Sequence, residues 1–138
     1  MRTTIAILIA SAMALLTTLG GARADDKPEA TPAVHKNVGV EEFEKLTKQP
    51  GNVVLDVRTP SEYRNGHLKD AVLIDFMAKD FEEKVKGLDK SKTYLVHCQV
   101  GGRSAKACTK LDKLGFTNVI NLEGGYKAWE KAGKPIEK

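Results

Sequence analysis

The sequence predicts an α/β domain of three layers, with a central, mainly parallel five-stranded sheet flanked by helices. Three observations carry this. The runs Val53-Val54-Leu55-Asp56-Val57 and Thr93-Tyr94-Leu95-Val96 lack the in–out alternation of a half-solvated strand, and read as strands covered on both faces. Segments with helical spacing of apolar residues alternate with these and with shorter runs. After the second run, glycines open a turn into a helix, and in an open α/β sheet ligands bind at that edge.

Taken in order, the chain starts with an address segment. Arg2 is followed by an apolar stretch from Ile5 to Leu19, and Ala22-Arg23-Ala24 has the small-x-small pattern of a cleavage site. Residues 1–24 are therefore expected to be a signal peptide, cleaved after Ala24. A retained membrane anchor is the weaker alternative, because the apolar run falls short of the ~20 residues a spanning helix needs. A soluble, exported, periplasmic protein follows, with no stable membrane association after cleavage. Losing Arg2 and Arg23 lowers the formal net charge of +4 by two. The remaining lysines are scattered among acids without a basic stripe, which argues against nucleic-acid binding.

Residues 25–36, with Pro28, Pro32 and no periodicity, read as a flexible leader containing His35. One domain is expected over residues 37–134. Val38 to Val40 reads as a first strand and Glu41 to Lys48 as a helix with Phe43 and Leu46 inward. Pro50-Gly51-Asn52 breaks it before the strand at 53–57. Thr59-Pro60-Ser61-Glu62 has the form of a helix start, with Thr59 as cap, Pro60 in first place and Glu62 three residues after the cap. Asn65-Gly66 ends that helix, and Ala71 to Ile74 reads as a third strand. Phe76 to Leu88 fits a helix or a broken pair of turns, with Phe76, Met77, Phe81, Val85 and Leu88 as an apolar stripe. After the strand at 93–96, a helix starting near Arg103 buries Ala107, Cys108, Leu111 and Leu114, and Gly115-Phe116 closes it. Asn118 to Leu122 is the last strand and Glu123-Gly124-Gly125 a tight turn. Tyr126 to Lys131 is the last helix, with Trp129 as a core anchor, and residues 135–138 form a tail.

The chemistry concentrates in His97-Cys98-Gln99-Val100-Gly101-Gly102-Arg103-Ser104. A cysteine between a strand end and a helix start faces unpaired amide N–H groups, which favour negative charge. Gly101 and Gly102 allow Gln99, Val100, Gly101, Gly102 and Arg103 to turn their amides inward as a nest, and Arg103 adds a permanent charge. Such surroundings lower a cysteine pKa from ~8.5 into roughly the 3.5–7.5 range. Cys98 is the candidate nucleophile in an open site with an exposed thiol. His97 should point to the opposite face of its strand and act as a buried, hydrogen-bonded residue, not as a base. The histidines have no metal-ligand spacing, so no metal and no cofactor are expected. Cys108 reads as a core residue, the alternative being a resolving thiol for an oxidised Cys98.

The stretch from Cys98 to Ser104 resembles the active-site loop of single-domain rhodanese-like sulfurtransferases, which often carry C-x-x-G-x-R followed by Ser. The resemblance runs upstream through Asp56-Val57-Arg58, Glu62-Tyr63, Gly66-His67-Leu68 and Ala71. Downstream it includes Gly115-Phe116, Val119, Leu122, Gly124-Gly125 and Ala128-Trp129, so it covers the chain from about Val38 to Trp129. It departs at Asp70, where the family usually has glycine, which leaves the bend there open. The resemblance implies structural roles for Asp56, Glu62 and His67, with Arg58 also lending charge to the pocket. A general-base role for His67 is the alternative. It further implies transfer of a sulfane sulfur from an anionic donor such as thiosulfate to cyanide or a thiol, including a thiol on a protein, through a Cys98 persulfide. Phosphatases of related fold place five residues between cysteine and arginine. Here four separate Cys98 from Arg103, a tighter cradle that suits sulfur. A non-catalytic binding or thiol redox-sensing module is the competing function.

Overall fold

The computed structural model describes residues 35–138. Five strands, β1 (Lys36–Val38), β2 (Asn52–Asp56), β3 (Val72–Leu73), β4 (Thr93–His97) and β5 (Val119–Leu122), form one sheet in the order β1-β5-β4-β2-β3. Every pairing is parallel, so the sheet is wholly rather than mainly parallel. The helices are α1 (Val40–Thr47), α2 (Pro60–Arg64), α3 (Phe81–Lys86), α4 (Gly102–Lys113) and α5 (Gly125–Lys131).

The period-two geometry of a strand sorts the core into two layers. From β2 and β4, Leu55, Tyr94 and Val96 join Phe81, Val85, Ala107, Cys108 and Leu111 of α3 and α4 on one face. On the other face Val54 and Leu95 join Phe43 of α1 and Tyr126 and Trp129 of α5. Trp129 packs edge-on to Phe43, with ring centroids 6.2 Å apart, and donates its indole N–H to the Pro135 carbonyl. The chain after β2 leads to one side of the sheet, through α2 to β3. After the adjacent β4 it leads to the other side, through α4 to β5. The two loops part at the carboxyl edge and leave the crevice where parallel sheets hold their ligands.

Several local expectations are corrected. Val40 belongs to α1, not to the first strand, because Val40, Phe43 and Leu46 share one helical face over the core. The segment after β3 yields only the short helix α3. The Asp75 carboxylate accepts the Met77 N–H at 2.9 Å, a local turn that competes with helix, and Met77 ends 69% exposed instead of in the core. His35 bonds to the Asp112 carboxylate on α4. Beyond α5, the backbone of Glu137 exchanges two hydrogen bonds with His67, of 2.9 and 2.8 Å. The capping box of α2 is complete, since Thr59 accepts the Glu62 N–H while Glu62 accepts the Thr59 N–H.

Asp70 has φ 58°, so the bend before β3 keeps a left-handed residue without the glycine that tolerates it best. Asp70→Gly should raise the unfolding free energy by about 0.5–1 kcal/mol in denaturant titration, by relieving that conformation.

Candidate active site

Cys98 follows the last residue of β4 and lies on the α3/α4 face, with its neighbour His97 aimed the other way towards Tyr126. The loop then turns through Gly101, whose φ of 116° is a glycine conformation, into α4. Gly102 needs no such freedom: it is the first residue of the helix and its φ is not positive. The expectation that both glycines serve the turn is therefore half right.

The sulfur sits among donors. The Gly101 amide N lies 3.0 Å from Cys98 Sγ. Burial pushes the thiol's pKa up, but the Ser104 hydroxyl and the amides of Ser104, Gly101 and Val100 outweigh it and hold the pKa below the ordinary value. Ser104 is itself fully buried, and its hydroxyl proton has a second acceptor in the Gly101 carbonyl at 3.2 Å. As the serine completing the loop motif, it was legible in the sequence, yet its place beside the sulfur was not.

The expectation of an exposed thiol is wrong. Cys98 has no solvent-accessible surface, because the loop wraps inward and seats the sulfur against the core. Of the amides expected in the nest, those of Val100 and Gly101 face the sulfur; those of Gln99, Gly102 and Arg103 make no such contact, and the Ser104 amide, in the first turn of α4, takes their place. A groove of about 630 Å³ lined by Val54, Leu68, Val72 and Trp129 lies on the opposite face of the sheet and includes none of the loop residues.

The loop is held from behind by α5. Tyr126 N–H donates to the Cys98 carbonyl at 2.8 Å and Lys127 N–H to the Gln99 carbonyl at 3.0 Å. Contact is close enough that a Cβ on Gly125 would come within 2.6 Å of the Cys98 carbonyl oxygen, and its φ is +60°.

The arginines are both engaged with carboxylates. Arg58, 1% exposed, donates Nε and Nη2 to Asp56, Nη2 also to the Gly66 carbonyl, and Nη1 to Gln99 Oε1 at 3.2 Å. It reaches the loop only through Gln99. Arg103 turns its guanidinium to Glu62, with two hydrogen bonds of 2.8 Å. Val100, the tip of the loop, is 61% exposed.

No histidine serves as a base for the thiol. His97 Nδ1 lies 3.1 Å from the Cys98 carbonyl, so that nitrogen carries the proton, and Nε2 lies 3.6 Å from Asp56 Oδ2. Burial pushes its pKa down, against the nearby Asp56 charge, and keeps the ring neutral. His67 Nδ1 bonds the Tyr63 carbonyl at 2.9 Å and its ring stacks on Tyr63, which fastens the turn after α2. Cys108 is pushed up to about 12, first by burial and then by the Asp112 and Cys98 charges. Both thiols are free, and Cys108 stays protonated and packed, which removes the thiolate that a resolving role needs. Among the described residues, no group of three or more His, Cys, Asp or Glu is placed to hold a metal ion.

A parallel sheet between two helical layers, with a cysteine in an amide-lined loop at its carboxyl edge, defines the class: an α/β protein whose loop holds the pKa of one cysteine below its ordinary value. The model of the rhodanese-like domain matches residues 39–132, and the chain belongs to that family. It is 42% identical over 97 residues to thiosulfate sulfurtransferase 16, chloroplastic, of Arabidopsis thaliana, covering 63% of this chain and 81% of that one. A sulfurtransferase of Allochromatium vinosum is 30% identical over 93 residues, 67% of this chain and 85% of its own. The fold is shared with a rhodanese-related protein of Thermoplasma volcanium, at a TM-score of 0.67 and 32% identity, over 74% of this chain and 97% of that one.

Two substitutions probe the cradle. Ser104→Ala should raise the Cys98 pKa and slow thiolate alkylation at neutral pH by about tenfold, as expected for losing one hydrogen bond to a charged group. Rate against pH checks it: the alkylation rate should rise with pH as the thiolate forms, with its midpoint below that of an ordinary cysteine in the native protein and displaced upward in the variant. Gly125→Ala should cost more than about 2 kcal/mol of stability in denaturant titration, since neither the φ nor the space accepts a side chain.

Proposed function

We propose that this protein is a sulfurtransferase that moves a sulfane sulfur from thiosulfate or a related donor to cyanide or a thiol, through a persulfide on Cys98. The observation that carries the reading is the sulfur at the focus of the Val100, Gly101 and Ser104 donors, in a loop with four residues between cysteine and arginine. Those donors favour the thiolate needed for attack, and the same donors suit the negative charge of a persulfide. The scheme is a ping-pong one. Cys98 thiolate attacks the outer sulfur of the donor, whose S–S bond breaks, and sulfite leaves thiosulfate with the electron pair. An acceptor thiolate or cyanide then takes the outer sulfur and regenerates the Cys98 thiolate.

Because Cys98 is closed off from solvent, the side chains around it must part for a donor to reach the sulfur. The acceptor in this reading is a small thiol or a thiol carried by a protein, met in the periplasm after removal of residues 1–24. The redox-module alternative gains nothing from Cys108, whose protonated, buried thiol is a poor disulfide partner.

Intact-mass spectrometry tests the proposal. Incubation with thiosulfate should add one sulfur to the protein, removable by cyanide, and Cys98→Ser should show no gain. Sulfur transfer retained in full by Cys98→Ser would refute it.

A further inference from the structure

Both guanidinium groups near the sulfur are matched by carboxylates. Arg58 is enclosed by Asp56, Gly66 and Gln99 and lies 4.2 Å over the Tyr126 ring. Arg103 lies nearer the surface, its side chain 26% exposed, with both terminal nitrogens 2.8 Å from the two carboxylate oxygens of Glu62. Asp75 adds a further negative influence on the same guanidinium. The Arg103 pair, first, and the Thr59 contacts hold the Glu62 carboxyl at about 2 against its burial, so it stays ionised at working pH. An arginine paired in this bidentate way presents little net charge to an approaching anion. The sulfur's own partners are neutral dipoles from amides and a hydroxyl. They compensate the charge on one sulfur, and neither Arg58 nor Arg103 is left unpaired to meet a second charge at the far end of a donor.

We infer that Glu62 is a specificity-determining residue: by masking Arg103 it makes the site favour singly charged sulfane donors, of the thiosulfonate or hydropersulfide class, over doubly charged thiosulfate. The inference rests on the reading of Cys98 as the sulfur carrier. In each case the Cys98 thiolate forms a bond to the outer sulfur while the donor's S–S bond breaks. The electron pair leaves on sulfinate from a thiosulfonate, on thiolate from a hydropersulfide, or on sulfite from thiosulfate, with no external oxidant or reductant.

Glu62→Gln removes the charge while its amide oxygen can still serve the Thr59 cap. The measurement is kcat/KM with thiosulfate and with the methanethiosulfonate anion, using one acceptor at low and high salt. These donors share the bond that breaks and differ in charge; because their leaving groups also differ, the readout is the change in their ratio. In Glu62→Gln the thiosulfate-to-methanethiosulfonate ratio should rise about tenfold at low salt, through KM, as expected for exposing a steering charge. The rise should collapse at roughly 0.5 M salt by screening, while the wild-type ratio changes little with salt. A ratio that stays constant or falls in the variant overturns the assignment. If the variant does not fold, the wild type decides: a ratio that drops steeply with salt means Arg103 is already unmasked, and a flat one supports the proposal. Mass spectrometry separates the two levels. No sulfur on Cys98 from either donor refutes the sulfur-carrier reading, whereas normal loading with an unaltered ratio refutes only the role of Glu62.

Discussion

The geometry of the reactive loop depends on where two carbonyl groups point. In a trans peptide the C=O and the following N–H lie on opposite sides. The Gln99 carbonyl accepts from Lys127 of α5, and so the Val100 N–H of the same peptide unit is turned away from α5 and onto the sulfur. The Cys98 carbonyl is held likewise by Tyr126. Only a residue without Cβ fits where α5 meets these carbonyls, and that residue is Gly125. An amide cradle on one side of the loop is thus the consequence of a close backbone contact on the other.

That contact explains why the sheet order matters. The parallel register brings the ends of β2, β4 and β5 to one edge, with Asp56 opposite His97 and Val96 opposite Asn121. From that edge Asp56 orients Arg58, Arg58 reaches Gln99, and the turn after β5 delivers α5 beneath the loop. Arg103 and Glu62 then tie α4 to α2 across the crevice where the two loops part. Apart from the local Asp56–Arg58 pair, each tie joins elements far apart in sequence, so the cradle is organised by the assembled sheet rather than by the loop's own eight residues.

Charge is distributed to the same end. The thiolate is favoured by dipoles, while the two arginines serve carboxylates. Burial works against the Cys98 charge and is overcome by several modest hydrogen bonds, whereas at Cys108 burial wins, reinforced by the Asp112 and Cys98 charges. Two cysteines ten positions apart in one chain are therefore shifted in opposite directions, Cys98 down by the donors aimed at it and Cys108 up by burial and neighbouring negative charge.

The chain itself determined much of this. Continuous apolar runs at 53–57 and 93–96 specify strands buried on both faces, and such strands require helices above and below. Thr59, Pro60 and Glu62 specify the start of α2 by local hydrogen bonding alone, and the strand–cysteine–glycine–helix order marks the edge where chemistry gathers. These signals survive in sequence because they act between neighbours a few residues apart. Whether Val40 would extend a strand or start a helix, whether Cys98 would be open or enclosed, and which carboxylate each arginine would take were settled elsewhere. Those outcomes turn on partners such as Phe43 packed against Trp129, Glu62 against Arg103 and Gly125 against Cys98. A side chain's charge and shape are written at its own position, but the group that compensates it is chosen only when the folded sheet brings distant segments within a few ångströms.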